Sequence, residues 1–374
     1  MKSWNRFSLW PAVMAAFLAT AALSLAQDQE GPSKEGAPTV AKPRQPASEP
    51  TEAPIPSKYS KKAQPDVPEN VPSFKSDVNL VSIDVSVLDN KGHFIPNIPR
   101  GNFRVLEDNV PQQIKSFGKS QAPMTVCLLI EFSAKWQWYG SYTWYQTLTA
   151  SYGFAETLKP EDYVAVIAYD MKPEILSDFT TDRRQTYEAL QRLRIPGFSE
   201  MNLFDALADT TDRMSKIEGR KAVVLLSSGV DTFSKLTLDK ARKAVQDNGV
   251  PIYAIGLMQQ LRLMYPQWGD NIGFLQADNQ LSTFARESGG MAFFPRFIGE
   301  FPNIFAQISD SLRNQYSIGY DPSNKTRDGK FRHIKVELVN PATNEPLRVT
   351  DQKGKPVKYQ IIAKAGYTAP REVE

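Results

Sequence analysis

Ser133 and Lys135 stand two residues apart just after a continuous apolar run. A lysine that is removed from water can take a proton from a neighbouring hydroxyl, so this pair could supply the nucleophile and base of a hydrolase. That chemistry also needs donors for an oxyanion and a cleft for the substrate, and no motif in the chain indicates either. The other interpretation is that Lys135 neutralises the carboxylate of Glu131. We favour this second interpretation and predict no catalytic residue.

Other residue types that often carry chemistry are scarce. The chain has one cysteine, Cys127, and two histidines, His93 and His333. These are too few for an intramolecular disulfide or for a zinc site built from cysteine and histidine. Cys127 lies inside an apolar run, which is typical of a buried, unreactive thiol. His93 falls in a turn sequence and His333 in an alternating run, so we expect both to be exposed. No cofactor is predicted.

Aromatic residues are concentrated directly after Lys135, and a second aromatic loop sequence follows a later apolar run. Tryptophan and tyrosine are over-represented at the dominant positions of protein interfaces, and loops on a rigid scaffold often carry binding residues. Packing of these rings beneath a long loop is an equally open interpretation. The candidate partner-binding residues are Trp136, Trp138, Tyr139, Tyr265 and Trp268.

Four short apolar runs alternate with amphipathic stretches in the middle of the chain. Runs of this kind suit central parallel strands that are covered on both faces, and the stretches between them have one apolar helical face. The alternation predicts an α/β fold with a doubly wound, mainly parallel sheet flanked by helices. Its ligand crevice is expected at the carboxyl ends of the strands. The runs are Val126–Ile130, Tyr163–Tyr169, Ala222–Leu226 and Ile252–Leu257.

The two flanks of this region alternate between apolar and polar residues, as half-buried antiparallel strands do. Val81–Val87 precedes a turn sequence at Asp89–Gly92, which predicts a strand entering a hairpin. Since isolated hairpins are marginal in water, we expect residues 76–120 and 315–374 to form one small antiparallel β-sandwich beside an α/β domain at 121–314. The other predicted strands are Phe103–Asn109, Gln113–Phe117, Gln315–Tyr320, Phe331–Val339 and Gln360–Tyr367.

The N-terminal region has the pattern of an exported protein. In residues 1–26, Lys2 and Arg6 precede an apolar run that ends in the small-residue cleavage sequence Ser24-Leu25-Ala26, as in a secretory signal peptide. An uncleaved membrane anchor is the alternative. Residues 27–75 contain ten prolines among charged and small residues, which predicts a disordered tether. We therefore expect secretion across the inner membrane to the periplasm or beyond, with membrane contact only through the signal peptide.

Charge and composition limit the classes of partner. Lys and Arg number 44 against 41 Asp and Glu, a formal net charge of +3. Outside the extreme N-terminus there is no basic stretch with interleaved aromatic residues, so nucleic acid is not expected as a partner. The proportions of hydrophobic residues, 41%, and of charged residues, 23%, are those of an ordinary globular protein. We expect the partner to be another protein.

Three segments of the α/β region resemble the von Willebrand factor type A (VWFA) domain. Val126–Lys135 is similar to the family's apolar strand that runs into D-x-S-x-S, Met201–Leu207 to its T-x-L-Y-D-A-L segment, and Val223–Asp231 to its V-L-L-T-D-G-x-D segment. The flanks, which include the run Phe103–Asn109, resemble secreted VWFA-related proteins best known from acidobacteria. The resemblance covers roughly the whole chain after residue 76 and implies the VWFA fold.

The resemblance also implies a metal-ion-dependent adhesion site, but the chain departs from its ligand pattern. Such a site holds Mg²⁺ through hard oxygen ligands. Only Ser133 keeps the family's residue type, while Met201 supplies a thioether and Lys135 an ammonium, neither of which suits Mg²⁺. We therefore predict a degenerate site without metal, with Lys135 in place of the cation beside Glu131. The residues of this predicted binding face are Glu131, Ser133, Lys135, Met201, Asp205, Ser228 and Asp231.

Three functions are consistent with these patterns. The leading hypothesis is a secreted, non-enzymatic VWFA-like module that binds another protein in the cell envelope without Mg²⁺. The second is a metal-dependent adhesion protein whose altered site uses Glu131, Ser133, Asp205 and Asp231. The third is a hydrolase that uses Ser133 with Lys135.

Overall fold

The structure is a computed structural model and describes residues 80–119, 123–134, 141–193, 198–264, 272–350 and 355–371. The predicted signal peptide at 1–26 and the predicted tether at 27–75 lie outside these ranges. Within them, no helix is both long enough and apolar enough to span a lipid bilayer.

Strands and helices are numbered in chain order. The strands are β1 (Val81–Asp89), β2 (Phe103–Glu107), β3 (Val110–Gln112), β4 (Ile114–Lys119), β5 (Met124–Glu131), β6 (Tyr163–Tyr169), β7 (Pro173–Thr180), β8 (Arg220–Ser227), β9 (Ile252–Gly256), β10 (Ala292–Phe293), β11 (Tyr316–Tyr320), β12 (Phe331–Leu338), β13 (Val349–Thr350), β14 (Pro356–Val357), β15 (Tyr359–Ile362) and β16 (Gly366–Thr368). The helices are α1 (Ser141–Thr157), α2 (Arg183–Gln191), α3 (Leu203–Ser215), α4 (Leu238–Asn248), α5 (Met258–Met264), α6 (Ile272–Ser288) and α7 (Phe301–Arg313).

The central sheet has six strands in the order β10-β9-β8-β5-β6-β7. All neighbouring pairs are parallel except β6 and β7, so β7 is an antiparallel edge strand. Every residue of β5 is buried. Val126, Leu128 and Ile130 face one helical layer, and Cys127 and Leu129 face the other. The predicted doubly wound, mainly parallel sheet is confirmed.

Helices cover both faces of this sheet through the apolar faces that their sequences predict. On one side α1, α2 and α7 contribute to the core, and on the other side α3, α4 and α6. Helix ends follow local signals. The Thr237 side chain accepts a hydrogen bond from the backbone N–H of Lys240 at the start of α4, and Gly249 ends the helix with a φ of +61°.

The flanks form two four-stranded antiparallel sheets, with the orders β15-β1-β11-β4 and β16-β12-β2-β3. Each sheet combines strands from both ends of the chain, so neither flank could form it alone. The apolar residues of the two sheets pack together in one buried cluster, which includes Ile83, Val85, Phe103, Val105, Ile318 and Val336. The predicted antiparallel β-sandwich is therefore present.

The predicted turn at Asp89–Gly92 folds the chain back on the end of β1, where Leu88 forms an antiparallel bridge with Phe94 and the N–H of Ile95 donates to the carbonyl of Val87. The main partners of β1 are distant in sequence, since Val81–Val85 pairs with β11 and Ser86–Asp89 pairs with β15.

One detail of the predicted flanks is wrong. The predicted strand Gln360–Tyr367 is divided between β15 and β16, which belong to different sheets. Between them, the N–H of Ala365 donates to the carbonyl of Glu287 in α6. The error arises because local alternation identifies a strand but not a partner that is distant in sequence.

The strand order locates the crevice. From β5 the chain continues to β6 and β7 on one side, and it then crosses to β8 on the other side of β5. This reversal separates the loops at the carboxyl ends of β5 and β8, which is where open α/β sheets bind ligands. Glu131 ends β5 and Ser227 ends β8, so both lie at this switch point.

Candidate functional site

A cluster of polar side chains surrounds Glu131 at the carboxyl ends of β5, β6 and β8. Glu131 is directly opposite Tyr169, the last residue of β6, in the parallel register. Glu131 is 4% exposed, and Tyr169, Ser227 and Ser228 are no more than 2% exposed. A buried carboxylate needs compensating contacts, because its ionised form is strongly disfavoured away from water.

Four donors contact a single oxygen of Glu131. Its Oε2 lies 2.8 Å from the backbone N of Ser228, 2.9 Å from Ser228 Oγ, 2.8 Å from Ser227 Oγ and 3.2 Å from the hydroxyl of Tyr169. The Tyr169 hydroxyl lies closer to Ser227 Oγ, at 2.8 Å, so its single proton is shared between two acceptors. Burial and the charge of Glu131 raise the pKa of Tyr169 well above its ordinary value. The phenol therefore keeps its proton and remains a hydrogen-bond donor in the physiological pH range.

Each of the two serine hydroxyls in this cluster also accepts a hydrogen bond from a backbone N–H group. Ser227 Oγ lies 2.9 Å from the N of Gly229, and Ser228 Oγ lies 3.1 Å from the N of Val230. Because these N–H groups occupy acceptor positions of the hydroxyls, each serine proton is free to point at Glu131. The donors are thus arranged by the backbone of the loop that follows β8.

Ser133 and Met201 lie beside this cluster. The hydroxyl of Ser133 is 2.9 Å from the carbonyl oxygen of Ser199 and donates to it, and Ser133 is 3% exposed. Met201 is fully buried, and its sulfur lies 3.9 Å from Ser228 Oγ. Glu131, Met201 and Ser228 therefore lie close together.

The carboxylates of Asp205 and Asp231 do not make the contacts expected of two ligands that share one metal ion. The Asp205 carboxylate accepts the N–H groups of Lys235 and Leu236 at 3.0 and 2.9 Å. Asp231 accepts the N–H of Phe204 at 3.2 Å. Both carboxylates therefore fasten the start of α3 to the loop after β8.

Ser234 is the centre of this second network. Its Oγ contacts Asp231 Oδ1, Asn202 Oδ1 at 2.9 Å, and the backbone N of Phe204 at 3.1 Å and of Asp205 at 3.2 Å. These bonds connect the loop after β8 to the start of α3.

The middle of the chain matches a known family. Residues 126–307 match the model of the von Willebrand factor type A domain. This part of the chain is a von Willebrand factor type A domain. The VWFA domain includes β5 to β10, all of the helices up to α6, and the first half of α7.

Solved structures similar to the chain come from an animal and from bacteria. Proximal thread matrix protein 1 from the mussel byssus is 11% identical with a TM-score of 0.41, and the match covers 55% of this chain and 50% of that protein. The vWF domain of the type V pili tip protein Mfa5 from Porphyromonas gingivalis is 14% identical, with a TM-score of 0.38 and coverage of 52% and 97%. BatB from Bacteroides thetaiotaomicron is 14% identical, with a TM-score of 0.37 and coverage of 51% and 100%. The chain thus spans half the length of the mussel protein. A search of curated proteins finds no match.

Several contacts at the metal position of the VWFA family differ from those expected of Mg²⁺ ligands. Glu131 Oε2 receives four hydrogen-bond donors, and a carboxylate oxygen that receives this many donors is poorly available to a cation. Asp205 accepts loop N–H groups, Asp231 accepts the N–H of Phe204 in the first turn of α3, and Met201 supplies sulfur. In the described part of the chain, no three His, Cys, Asp or Glu side chains are grouped to hold a metal ion.

Tyr169, Ser227 and Ser234 are site residues that sequence reasoning missed. Tyr169 is the last residue of the predicted run Tyr163–Tyr169, and Ser227 directly follows the predicted run Ala222–Leu226. The signal was their position, because a polar residue at the carboxyl end of a strand next to β5 must lie at the switch point. Ser234 offers no comparable signal.

Two exposed phenylalanines lie next to the Glu131 cluster. Phe198 is 50% exposed, and its carbonyl accepts the N–H of Ala134 at 2.8 Å. Phe233 is 48% exposed, and its N–H donates to the carbonyl of Met201 at 3.0 Å. The strand-end face therefore combines buried polar groups with exposed aromatic rings.

The remaining predicted site residues lie outside the described residues. They are Lys135, Trp136, Trp138, Tyr139, Tyr265 and Trp268. The residues expected to be inert are placed as predicted: His93 and His333 are exposed, and Cys127 is fully buried in β5, where burial raises the pKa of its thiol.

Proposed function

We propose that the VWFA domain is a non-enzymatic module that binds another protein through its strand-end face without a metal ion. The observation that carries this proposal is the closed arrangement around Glu131, whose Oε2 accepts four donors from Tyr169, Ser227 and Ser228. In this arrangement hydroxyl and amide protons supply the positive partial charge that Mg²⁺ would otherwise bring to the buried carboxylate.

Apolar contact is the interaction that this face can offer to a partner. Phe198 and Phe233 are about half exposed, and aromatic residues at the centre of an interface contribute much of its binding free energy. The partner should therefore present apolar side chains to these two rings. Trp136, Trp138, Tyr139, Tyr265 and Trp268 remain predicted members of the same surface.

The contacts of Ser133 support binding and not catalysis. Its hydroxyl donates to the carbonyl of Ser199, whereas a serine nucleophile must give its proton to a base. The predicted signal peptide at 1–26 supports export, so we place the partner among proteins of the cell envelope, in the periplasm or outside the cell.

Metal independence can be tested on the mature chain by thermal unfolding in EDTA and in excess Mg²⁺. A ligand that binds only the native state stabilises it, by about 2.7 kcal/mol at a concentration of 100 Kd. We expect the same Tm in both conditions. The matched control restores the family's ligands through Glu131→Asp, Lys135→Ser, Met201→Thr and Ser228→Asp, and its Tm should rise with Mg²⁺. A rise in the wild-type chain would refute metal independence.

The binding face can be tested by crosslinking the mature chain to its partners in the native envelope, in the presence of EDTA. Phe198→Ser combined with Phe233→Ser should abolish recovery of the partner. Val110→Ser is the control, since Val110 is 52% exposed on β3 in the sandwich. Equal recovery by the double variant and the control would show that the two rings are not part of the interface.

A further inference from the structure

A polar groove separate from the strand-end face lies where the sandwich meets the helical layer. It has a volume of about 760 Å³ and is bordered by the turn after β1, by α7 and by β15. This volume is in the range of small-molecule sites in proteins. Its lining is unlike that of a site for an apolar ligand, because it is dominated by amide and charged side chains.

Four amide side chains line the groove: Asn90 in the turn after β1, and three more on α7 and β15. Asn303 and Gln307 are four residues apart on α7 and therefore share one side of the helix. Gln360 comes from β15. Among the described residues, none of these amides has a hydrogen-bond partner. Each primary amide offers two donors and an acceptor, which matches the adjacent hydroxyl groups of a sugar.

Positive charge lines the same groove. Lys91 lies in the turn after β1 and Lys358 immediately precedes β15. In the described part of the chain neither lysine has a carboxylate within ion-pair distance. The only carboxylate in the lining, Asp89, is engaged by the N–H groups of Lys91 and His93 at 2.8 and 2.9 Å. The two ammonium groups are therefore available to an acidic ligand.

The groove is held in shape by close packing. Gly92 has a φ of +84°, a backbone conformation that favours glycine, and the end of the Gln307 side chain packs against it. Tyr359 lines the groove while its hydroxyl donates to the carbonyl of Leu347 at 3.0 Å. Both contacts reduce the conformational entropy that the groove would lose when a ligand binds.

We propose that this groove binds an acidic oligosaccharide. The amides of Asn303, Gln307 and Gln360 pair with its hydroxyls, and Lys91 and Lys358 contact its carboxylates. An acidic peptide fits less well, because peptide partners are usually anchored by apolar side chains in apolar pockets. Among the groove residues, Tyr359 alone offers an apolar ring, which suits the C–H face of a single sugar.

The experiment is isothermal titration calorimetry of the mature chain with three probes: tetragalacturonate, the neutral maltotetraose and tetraglutamate. Tetragalacturonate should bind, and the other two should bind at least about tenfold more weakly or not at all. No binding of tetragalacturonate would overturn the proposal. Equal binding of tetraglutamate would show that charge alone determines binding. Equal binding of maltotetraose would show that the acidic groups of the ligand are not needed. Either result would also overturn it.

Two pairs of substitutions separate hydrogen bonding from charge. Asn303→Ala with Gln307→Ala should weaken tetragalacturonate binding about tenfold or more. Lys91→Met with Lys358→Met should weaken it and reduce its dependence on salt. The charge-matched control is Lys172→Met with Lys240→Met, two exposed lysines outside the groove, which should leave affinity unchanged. Unchanged affinity in the amide variant, with an unchanged Tm, would overturn the proposal.

Discussion

Glu131 in the VWFA domain and Glu107 in the sandwich are buried carboxylates that accept tyrosine hydroxyls through Oε2. Glu131 has the hydroxyl of Tyr169 at 3.2 Å, together with three donors from the loop after β8. Glu107 is 2% exposed and has the hydroxyls of Tyr320 at 2.6 Å and Tyr367 at 3.0 Å. One carboxylate is surrounded by a loop, and the other is fixed by two large side chains.

The origin of the donors explains what each cluster does. Glu107 is on β2, and Tyr320 is on β11 in the opposite sheet, so their hydrogen bond links the two sheets of the sandwich. Tyr367 comes from β16 near the end of the chain. The Glu131 donors lie within the VWFA domain and beside loops. The Glu107 cluster therefore stabilises the assembly of distant segments, whereas the Glu131 cluster shapes a surface.

Both tyrosine hydroxyls of this cluster donate to Glu107. Burial, followed by the interaction with Glu107, raises the pKa of both Tyr320 and Tyr367, so both remain donors. Within the described residues, Oε1 of Glu107 has no hydrogen-bond partner. The two tyrosine hydroxyls are thus the contacts that compensate this buried carboxyl group.

The largest predicted effect comes from separating the two flanks. Deletion of residues 321–374 removes β12, β15 and β16, and with them one neighbour of β1 and most of the second sheet. Ile83, Val85 and Val87, which are fully buried, would then be exposed on β1. We expect an aggregating or partly unfolded protein by size-exclusion chromatography and denaturant titration. A monomer with undiminished cooperative unfolding would show that the flanks are independent.

Replacing Glu107 should cost less than the deletion but more than any other single change considered for the two clusters. Glu107→Leu leaves two buried tyrosine hydroxyls without an acceptor, and each unpaired buried donor costs about 1–3 kcal/mol. We expect a loss of about 3 kcal/mol in urea unfolding. Tyr320→Phe in the Glu107→Leu background should recover part of this loss, because it removes one unpaired donor. Strict additivity of the two changes would contradict the proposed link between the sheets.

Glu131→Leu should destabilise the protein less than Glu107→Leu, by about 2 kcal/mol. The Tyr169 hydroxyl keeps Ser227 Oγ as an acceptor at 2.8 Å, and the two serine hydroxyls can rotate. The same denaturant titration measures both variants, with Glu131→Gln as a control that keeps shape and an acceptor oxygen. If Glu131→Leu lowered the free energy of unfolding more than Glu107→Leu does, the Glu131 cluster would contribute more to stability than the Glu107 cluster, contrary to this comparison.

The elements that could be predicted from sequence are those whose signals are local. The continuous apolar runs identify β5, β6, β8 and β9, because both faces of these strands are buried. β7 has no such run: its residues are half exposed, and its pairing with β6 has register shifts. The sequence of an exposed edge strand with irregular pairing therefore shows little hydrophobic periodicity.

The sequence predicts where the site lies better than it predicts which groups are hydrogen-bonded there. The strand-end rule places Glu131, Met201 and Ser228 together, and the structure does so. It could not predict that Asp205 and Asp231 bind backbone N–H groups, because a carboxylate in a ligand-like motif can be satisfied by a metal or by backbone donors. That choice depends on Ser234 and the fold of its loop, which no local pattern identifies.

A third buried carboxylate extends the comparison, because its partner is a cation. Asp162 is fully buried and accepts the backbone N–H groups of Met124 at 3.0 Å and Lys159 at 2.8 Å. The guanidinium of Arg313 lies 2.7 Å from Asp162 Oδ2. Burial acts to raise the pKa of Asp162, but the bonds from Met124, Arg313 and Lys159 outweigh it and hold the pKa below its ordinary value.

The smallest predicted effect is therefore a dependence on pH. Because the pKa of Asp162 is lower in the folded chain, its contribution is complete above the ordinary value of 3.8 and disappears as the pH falls through the folded-state pKa. Asp162→Asn should be less stable than the wild-type chain at about pH 6, and the difference should shrink toward about pH 3. Urea unfolding at both pH values measures this, and Arg313→Met should reduce the same acid dependence. A gap between the wild-type chain and Asp162→Asn that stays constant with pH would mean that the ion pair does not set the ionisation of Asp162.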